Sequence, residues 1–185
     1  MNNPAFPKMR HNHSELRRLA LRLTAGGVVV EIGSFAGEST RLFLEAGLRV
    51  DAIDPWDNAV RSRLSEGAID HDPNFAWQFE MATVEELFDK LLVEFPGRLT
   101  KKKGYDYEFV ESYADGSVDA IYLDSIHSYE ETRASIRRWR SKVRPGGAFC
   151  GHDFAVYYPG VQQAVRDEFG ERFELFDDTS WLAPL

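Results

Sequence analysis

Carboxylate and imidazole side chains follow two apolar stretches of the sequence that are typical of buried strands. Asp124 ends one stretch and His127 comes three positions later, while His152 and Asp153 end the other. Such a pairing can supply a metal ligand and a general base. Two carboxylates would favour Mg²⁺ or Ca²⁺, whereas His152 as a further ligand would favour Mn²⁺, Fe²⁺ or Zn²⁺. The structural alternative is an Asp/Ser/His group that caps the next helix.

A second candidate site is a turn that contains two glycines and follows an earlier apolar stretch. Its pattern is Glu-x-Gly-x-x-x-Gly, from Glu31 through Gly33 to Gly37. The glycines would let the chain turn sharply and would leave room for a ligand, and Ser39 and Thr40 add hydroxyl groups at the head of the next helix. Glu31 either faces the ligand or accepts hydrogen bonds from backbone N–H groups. The dinucleotide pattern Gly-x-Gly-x-x-Gly is absent.

An acidic residue also ends the next predicted strand. Asp54 lies about 20 positions after Gly33, where a carboxylate can accept hydrogen bonds from both hydroxyls of a ribose. The alternative is that Asp54 caps the turn ahead of Pro55. The glycine turn upstream favours the ribose.

The elements that must position these residues alternate between strand and helix. This alternation predicts an α/β fold, a doubly wound (Rossmann-like) and mostly parallel seven-stranded sheet that ends in an antiparallel hairpin of residues 173–176 and 180–182. In such a sheet the ligand lies beyond the carboxyl ends of the strands, so all the polar strand ends can meet at one cleft. The predicted strands are 28–32, 50–53, 98–103, 117–123, 148–151, 173–176 and 180–182, and the predicted helices start at 14 and cover 38–46, 59–65, 82–95, 106–112, 129–142 and 161–169. Residues 144–147 are expected to form a turn.

Length and composition limit the class of protein. The 185 residues suit one domain, predicted over residues 14–185, after a mobile arm at residues 1–13. A net charge of −8 argues against nucleic acid as the partner. The single cysteine allows no internal disulfide, and no apolar run is long enough for a membrane span. A cytoplasmic protein with no membrane partner is the expectation.

Five segments in this order resemble class I S-adenosylmethionine-dependent methyltransferases. More narrowly, they resemble the small bacterial O-methyltransferases related to the macrocin-type and catechol-type enzymes. The segments are Glu31-Ile-Gly-Ser-Phe-Ala-Gly37, Asp54-Pro-Trp56, Leu123-Asp-Ser-Ile-His-Ser-Tyr-Glu130, Arg144-Pro-Gly-Gly147 and Gly151-His-Asp-Phe154.

The resemblance implies a role for each matching position. Asp124, His152 and Asp153 would hold a divalent cation such as Mg²⁺, and His127 would be the base, with Asp124 beside it in catalysis. His152 departs from the family, because the relatives closest to the catechol enzymes carry a carboxylate there. The S-adenosylmethionine site would comprise Glu31, Gly33, Ser34, Phe35, Gly37, Ser39, Asp54, Trp56, Tyr105 and Asp124. Trp56 and Tyr105 would flank the adenine unless they belong to the core.

The expected function is transfer of a methyl group from S-adenosylmethionine to a hydroxyl of a small molecule, assisted by a divalent metal. The acceptor pocket is expected to use residues 56–79 and the pair Tyr157 and Tyr158. Relatives are often dimers, so a homodimer is expected as well. Three alternatives remain open at this point, namely a nicotinamide-dependent oxidoreductase, a metal-dependent hydrolase and a non-catalytic S-adenosylmethionine-binding protein.

Overall fold

The computed structural model describes residues 14–63 and 80–185. The predicted arm at residues 1–13 and most of the predicted acceptor region, residues 64–79, lie outside the described residues.

A single seven-stranded sheet runs through the described part of the chain. Its strands are β1 Val28–Ile32, β2 Arg49–Asp54, β3 Leu99–Lys103, β4 Val118–Leu123, β5 Val143–Gly151, β6 Glu174–Leu175 and β7 Trp181–Pro184. They lie in the order β3-β2-β1-β4-β5-β7-β6. Strands β1 to β5 are parallel, and β7 runs antiparallel to both of its neighbours. The predicted doubly wound sheet with a terminal antiparallel hairpin is therefore confirmed.

Helices alternate with the parallel strands, as the sequence pattern requires. They are α1 Ser14–Ala20, α2 Glu38–Glu45, α3 Met81–Glu94, α4 Asp106–Phe109, α5 Tyr129–Trp139 and α6 Pro159–Phe169. Short 3₁₀ segments cover Asn58–Arg63, Val110–Ser112 and Arg140–Lys142. No helix among the described residues is long and apolar enough to cross a membrane.

The strands bury both of their faces because helices cover the sheet on each side. Successive β1 residues point to opposite faces, so Val29 packs in one core cluster and Val30 in the other. The first cluster includes Phe43 of α2 and Phe88 of α3, and the second includes Trp139 of α5. The result is a sheet between two helical layers, with little freedom for any strand to slide.

The strand register brings the carboxyl ends of the central strands to one level. Ile32 pairs with Ile53 on one side and with Leu123 on the other, and Leu123 pairs with Gly151. The residues that follow these four positions must therefore share one edge, which we call the carboxyl edge. The opposite edge, where β1, β4 and β5 begin, is the amino edge.

Several predicted boundaries are wrong. Residues 144–147 are not a separate turn but lie within β5, where the pairing with β4 shifts from Val118–Val143 to Ala120–Ala148. The extra residues of β5 form an irregularity in the strand pairing. A Pro-Gly-Gly sequence is compatible both with such an irregularity and with a chain reversal, so the sequence alone does not separate the two. Helix predictions over 106–112 and 129–142 each end in a 3₁₀ turn. The described part of the short helix expected at 59–65 belongs to the 3₁₀ segment Asn58–Arg63, and residues 64–65 lie outside the described residues.

Candidate active site

Four side chains at the ends of β4 and β5 form one cluster at the carboxyl edge. Asp124 follows the last residue of β4, and Asp153 lies two residues beyond the end of β5. The Nε2 atom of His127 is 2.8 Å from Asp153 Oδ2 and 3.7 Å from Asp124 Oδ1, and His152 Nδ1 is 3.1 Å from Asp153 Oδ1. The structure thus brings together all four residues that the sequence selected.

The donor set of this cluster suits a divalent cation. Asp124, His152 and Asp153 each offer one ligand atom, and these atoms lie within 4.8 Å of one another. Both ring nitrogens of His127 are buried, yet no described group meets them with an aligned hydrogen bond, so the contact with Asp153 is an ion pair only. Buried polar atoms normally have a partner, and an orphaned imidazole beside two carboxylates is consistent with a site that receives a further group.

The charges of the cluster are strongly coupled. Burial opposes a positive charge on His127, but Asp124 and Asp153 outweigh it and raise the pKa of His127 to about 9. His152 is affected in the same way, since burial is outweighed by Asp153 and Asp124 and its pKa rises to about 9. Burial would raise the pKa of Asp153, but contact with the two histidines holds it well below the usual range. Without a cation, both imidazoles are therefore charged near neutral pH.

Three local features hold His127 in place. The Ser128 side chain caps α5 by accepting a hydrogen bond from Glu131 N–H, so the capping role is not performed by Asp124 or His127. The ring of Tyr158 stacks on the imidazole at a centroid distance of 4.1 Å. A Cβ at Gly160 would lie 2.6 Å from Tyr129 N and 3.0 Å from His127 O. Sequence reasoning missed Gly160, because nothing in its local pattern indicates a partner so far away in the chain.

Asp153 has a backbone conformation that non-glycine residues rarely adopt. Its φ is +59°, and Phe35 and Trp56, which follow β1 and β2, have φ of +45° and +42°. All three lie in loops at the carboxyl edge. Left-handed residues of this kind persist where surrounding contacts enforce them, and they concentrate in functional sites.

The two glycines of the turn are required by their backbone conformation, as expected, and also by close packing. Gly33 and Gly37 have φ of +90° and +85°, which glycine adopts without strain. A Cβ at Gly33 would be 2.0 Å from the main-chain O of Asp124, and one at Gly37 would be 2.3 Å from the Leu91 side chain. The Cβ positions of both glycines are thus occupied by the protein itself, while the predicted approach of a ligand to this turn stays a prediction.

Glu31 is fully buried, and both of its oxygens face α2. They accept hydrogen bonds from the hydroxyls of Ser39 and Thr40. The predicted alternative partners, backbone N–H groups, are thus replaced by two hydroxyls, and Ser39 is engaged by Glu31. Burial raises the pKa of Glu31 to about 7, against the opposing effect of these hydrogen bonds.

Asp54 joins the glycine turn to the end of β2. Its Oδ2 accepts from Phe35 N–H at 3.0 Å, and its Oδ1 accepts from Trp56 N–H at 2.8 Å. Burial raises its pKa, although those backbone groups act against the rise. The interaction with Trp56 is the turn cap that the sequence offered as an alternative, and the backbone N–H of Ser34 also acts on the carboxylate. A carboxylate has about four acceptor positions, so capacity for a further hydrogen bond remains. Ser34 is buried next to this turn.

The two aromatic candidates for the adenine differ in their surroundings. Trp56 is buried, packs on Phe88 at 4.8 Å, and donates its indole N–H to Phe35 O at 2.8 Å. Tyr105 follows β3, is only partly buried, and stacks on Tyr107 at 5.3 Å. Trp56 therefore has the contacts of a core residue, and Tyr105 is the more accessible of the two.

Comparison with known protein families adds the decisive observation. Residues 30–154 match a family described as a methyltransferase domain. The chain belongs to this methyltransferase domain family.

Solved structures with the methyltransferase fold resemble this chain over most of its length. They include cofactor-bound Rv0187 from MTB (15% identity, 99% of this chain and 90% of that one, TM-score 0.63). The O-methyltransferase NovP is 17% identical over 91% of this chain and 77% of its own, with a TM-score of 0.59. A SAM-dependent O-methyltransferase from Thermotoga maritima is 15% identical over 88% and 52%, with a TM-score of 0.57. At these identities the likeness establishes the fold.

A search of curated proteins finds no match to the chain. Family membership decides among the alternatives that the sequence left open, against a nicotinamide-dependent oxidoreductase, a hydrolase or a binding protein without activity. The chain is an S-adenosylmethionine-dependent methyltransferase, and it requires a methyl acceptor.

Proposed function

We propose that residues 14–185 form a single methyltransferase domain that methylates a hydroxyl group of a small molecule with the aid of a divalent cation. The observation that carries this proposal is the cluster at the ends of β4 and β5, where Asp153 Oδ2 lies 2.8 Å from His127 Nε2. The cluster adjoins the glycine turn, since Gly33 packs directly against the main chain of Asp124. Donor and acceptor sites would thus share the carboxyl edge.

The donor is S-adenosylmethionine, whose sulfonium provides an already reactive methyl group. Asp54 would accept hydrogen bonds from the ribose hydroxyls through the acceptor capacity that its backbone partners leave. Glu31 would act as a positioning residue, because its contacts with Ser39 and Thr40 fix the first turn of α2 against β1. Tyr105 would lie beside the adenine, while Trp56 would hold the glycine turn through its hydrogen bond to Phe35 O.

Asp124, His152 and Asp153 would hold the cation. A divalent ion held there would lower the pKa of a hydroxyl that binds it, and it would offset the carboxylate charge that keeps His127 protonated. His127 would then accept the hydroxyl proton at a ring nitrogen, because neither nitrogen is engaged in an aligned hydrogen bond with a described residue. Tyr158 would keep the imidazole plane fixed during this transfer.

The acceptor would approach from the loop between β5 and α6. Val156 and Tyr157 are exposed there, two residues and one residue before Tyr158, and the Tyr157 ring packs on Tyr158, which in turn stacks on His127. The net charge of −8 supports a small molecule over nucleic acid as the acceptor.

The proposal is tested in two steps. Calorimetry with S-adenosylmethionine and S-adenosylhomocysteine should detect binding that is lost in Asp54→Ala and retained in the control Asp177→Ala, an exposed carboxylate on the β6–β7 turn. Transfer of a labelled methyl group should then be measured for a panel of catechols, phenols and sugars and for matching amines, with Mg²⁺, Mn²⁺ or a chelator.

Transfer to hydroxyl acceptors that stops with the chelator and in His127→Ala is the expected result. Transfer to amines alone, or full activity in the chelator and in His127→Ala, would contradict the hydroxyl, cation and base assignments.

A further inference from the structure

A cavity of about 380 Å³ opens at the amino edge of the sheet, opposite the active-site cluster. It lies between the start of β5, the end of α6 and the end of β7. Three arginines line it, Arg140, Arg144 and Arg172, together with apolar residues that include Val143, Phe169 and Leu185. Among the residues that the structure describes, no Asp or Glu side chain contributes to the lining.

Two of the three guanidinium groups carry charge that no carboxylate side chain balances within residues 14–63 and 80–185. Arg140 donates to the main-chain O of Glu168 at 2.9 Å and lies 5.0 Å above the ring of Phe169, which are uncharged partners. Arg172 is exposed and forms no ion pair in that part of the chain. Arg144, by contrast, is paired with Asp119 at 2.7 Å. In a chain with a net charge of −8, this is a local excess of positive charge.

The apolar wall of the cavity is firmly built. Val143 and Phe169 are buried, and the Phe169 ring packs on Phe149 and Trp181 at centroid distances of 5.8 Å. The mouth is fixed by backbone hydrogen bonds, since Leu185 N–H donates to Gly147 O at 2.9 Å and Leu185 O accepts from Gly146 N–H at 2.7 Å. A preformed apolar wall with a few convergent polar groups is the usual form of a small-molecule site.

We propose that this cavity binds a small molecule in which one anionic group is joined to a compact apolar body. The anion would lie between Arg140 and Arg172, where planar guanidinium groups match the oxygens of a phosphate, sulfonate or carboxylate. The apolar body would rest on Phe169 and Val143. This second site is separate from methyl transfer, because its residues come from the other edge of the sheet.

The test uses 1-naphthyl phosphate as the probe, in calorimetry with the full chain and saturating S-adenosylhomocysteine, so that the donor pocket is filled. Two partial probes, 1-naphthol and inorganic phosphate, each carry half of the proposed chemistry. One molecule of 1-naphthyl phosphate should bind per chain, at least about tenfold more tightly than either partial probe. Raising the salt concentration should weaken the binding.

Variants locate the site. Arg140→Ala and Arg172→Ala should each weaken binding about tenfold or more, the equivalent of one charge-assisted hydrogen bond. Arg172→Lys should lose less, because the charge remains. Arg49→Ala is the matched control, since Arg49 is an exposed arginine at the start of β2 on the same edge but outside the cavity.

Circular dichroism of each variant confirms that it folds. No binding of 1-naphthyl phosphate, equal affinity in the arginine variants and Arg49→Ala, or competition by S-adenosylhomocysteine would each overturn the proposal. These outcomes leave the methyltransferase proposal untouched, because that proposal depends on residues of the carboxyl edge alone.

Discussion

The carboxylates of the amino edge and those of the glycine turn at the carboxyl edge are stabilised in different ways. At the amino edge, Asp119 accepts from Val28 N–H at 2.7 Å and pairs with Arg144 at 2.7 Å. Burial opposes its ionisation, but these partners outweigh burial and lower its pKa. At the carboxyl edge, Asp153 is paired too, and its two histidines hold its pKa low. In the glycine turn at that edge, however, burial prevails and raises the pKa of both Glu31 and Asp54. Neither carboxylate forms an ion pair with lysine or arginine within the described chain.

Backbone strain follows the same division. Among the described residues, the non-glycine positions with left-handed φ are Phe35, Trp56, Asp153 and Thr179. The first three lie at the carboxyl edge, and Thr179 joins them because its O accepts from Phe154 N–H. The paired carboxylate of the amino edge therefore stabilises the fold. The carboxyl edge holds strained backbone and buried carboxylates that lower stability but are typical of binding and catalytic sites.

The largest effect is expected for Asp153→Asn. Asparagine tolerates a left-handed φ, so the backbone should survive, but the charge shared by His127 and His152 is lost. We expect methyl transfer to fall by about 10²–10⁴-fold, because the cation loses a ligand and the base His127 loses the partner that positions it, which should remove the usual contribution of an acid–base group. Labelled methyl transfer measures this, with Asp177→Asn as the control. Activity equal to that of the unmodified chain would remove Asp153 from the mechanism.

The next effect concerns Glu31, whose folded pKa of about 7 lies above its ordinary value of 4.5. The folded state retains the proton that the unfolded state releases, so this group stabilises the fold at low pH and loses its contribution as pH rises from 4.5 to about 7. The free energy of unfolding of Glu31→Gln, relative to the unmodified chain, should rise by about 3 kcal/mol across this window.

Urea unfolding at a series of pH values gives this difference directly. Glu38→Gln, which changes an exposed carboxylate in the same helix, should show no such trend. A difference for Glu31→Gln that stays constant with pH would mean that Glu31 is charged in the folded state, and the contrast between the edges would then weaken.

A smaller and purely structural loss is expected at the amino edge. Asp119→Ala leaves Val28 N–H and the Arg144 guanidinium without their carboxylate, which should cost about 1–3 kcal/mol of unfolding free energy. Methyl transfer per folded molecule should stay unchanged. Denaturant unfolding and labelled transfer on the same preparation test both parts. A loss of activity without a loss of stability would contradict the division of roles.

The smallest effect is expected for Asp115→Asn, on the same edge. Asp115 contacts Lys142 at 2.9 Å and Ser141 at 3.0 Å, but its side chain is 71% exposed. Water and salt screen such a pair. The shift in the midpoint of denaturant unfolding should therefore be smaller than for Asp119→Ala, and it should vanish in concentrated salt. A change as large as that of Asp119→Ala would show that pairing matters here more than burial.

The sequence predicted the carboxyl edge better than it predicted what each residue does there. The end of a parallel strand is a local event, visible as a polar residue after an apolar run, and this was enough to select Asp54, Asp124 and Asp153. The partners of Glu31 and Gly37 depend instead on how α2 and α3 pack, which no local pattern contains. For the same reason the choice between adenine and core stayed open for Trp56, and the irregular pairing of residues 144–147 was not foreseen.

The roles assigned to the site residues, the cation, the hydroxyl acceptor, the homodimer and the cytoplasmic location remain predictions. The fold class and the methyltransferase family stand on direct observations. The difference has a physical basis, because topology follows from many weak signals along the chain, whereas a ligand set depends on a few distances.

The contact between Gly33 and Asp124 has a practical consequence for altering this enzyme. Because a Cβ at Gly33 would overlap the main chain of Asp124, the glycine turn and the loop after β4 cannot shift independently of each other. A laboratory selection for new acceptors would therefore gain little from randomising either one. The exposed positions Val156 and Tyr157 are better sites for a starting library, because substitutions there do not require the glycine turn to move.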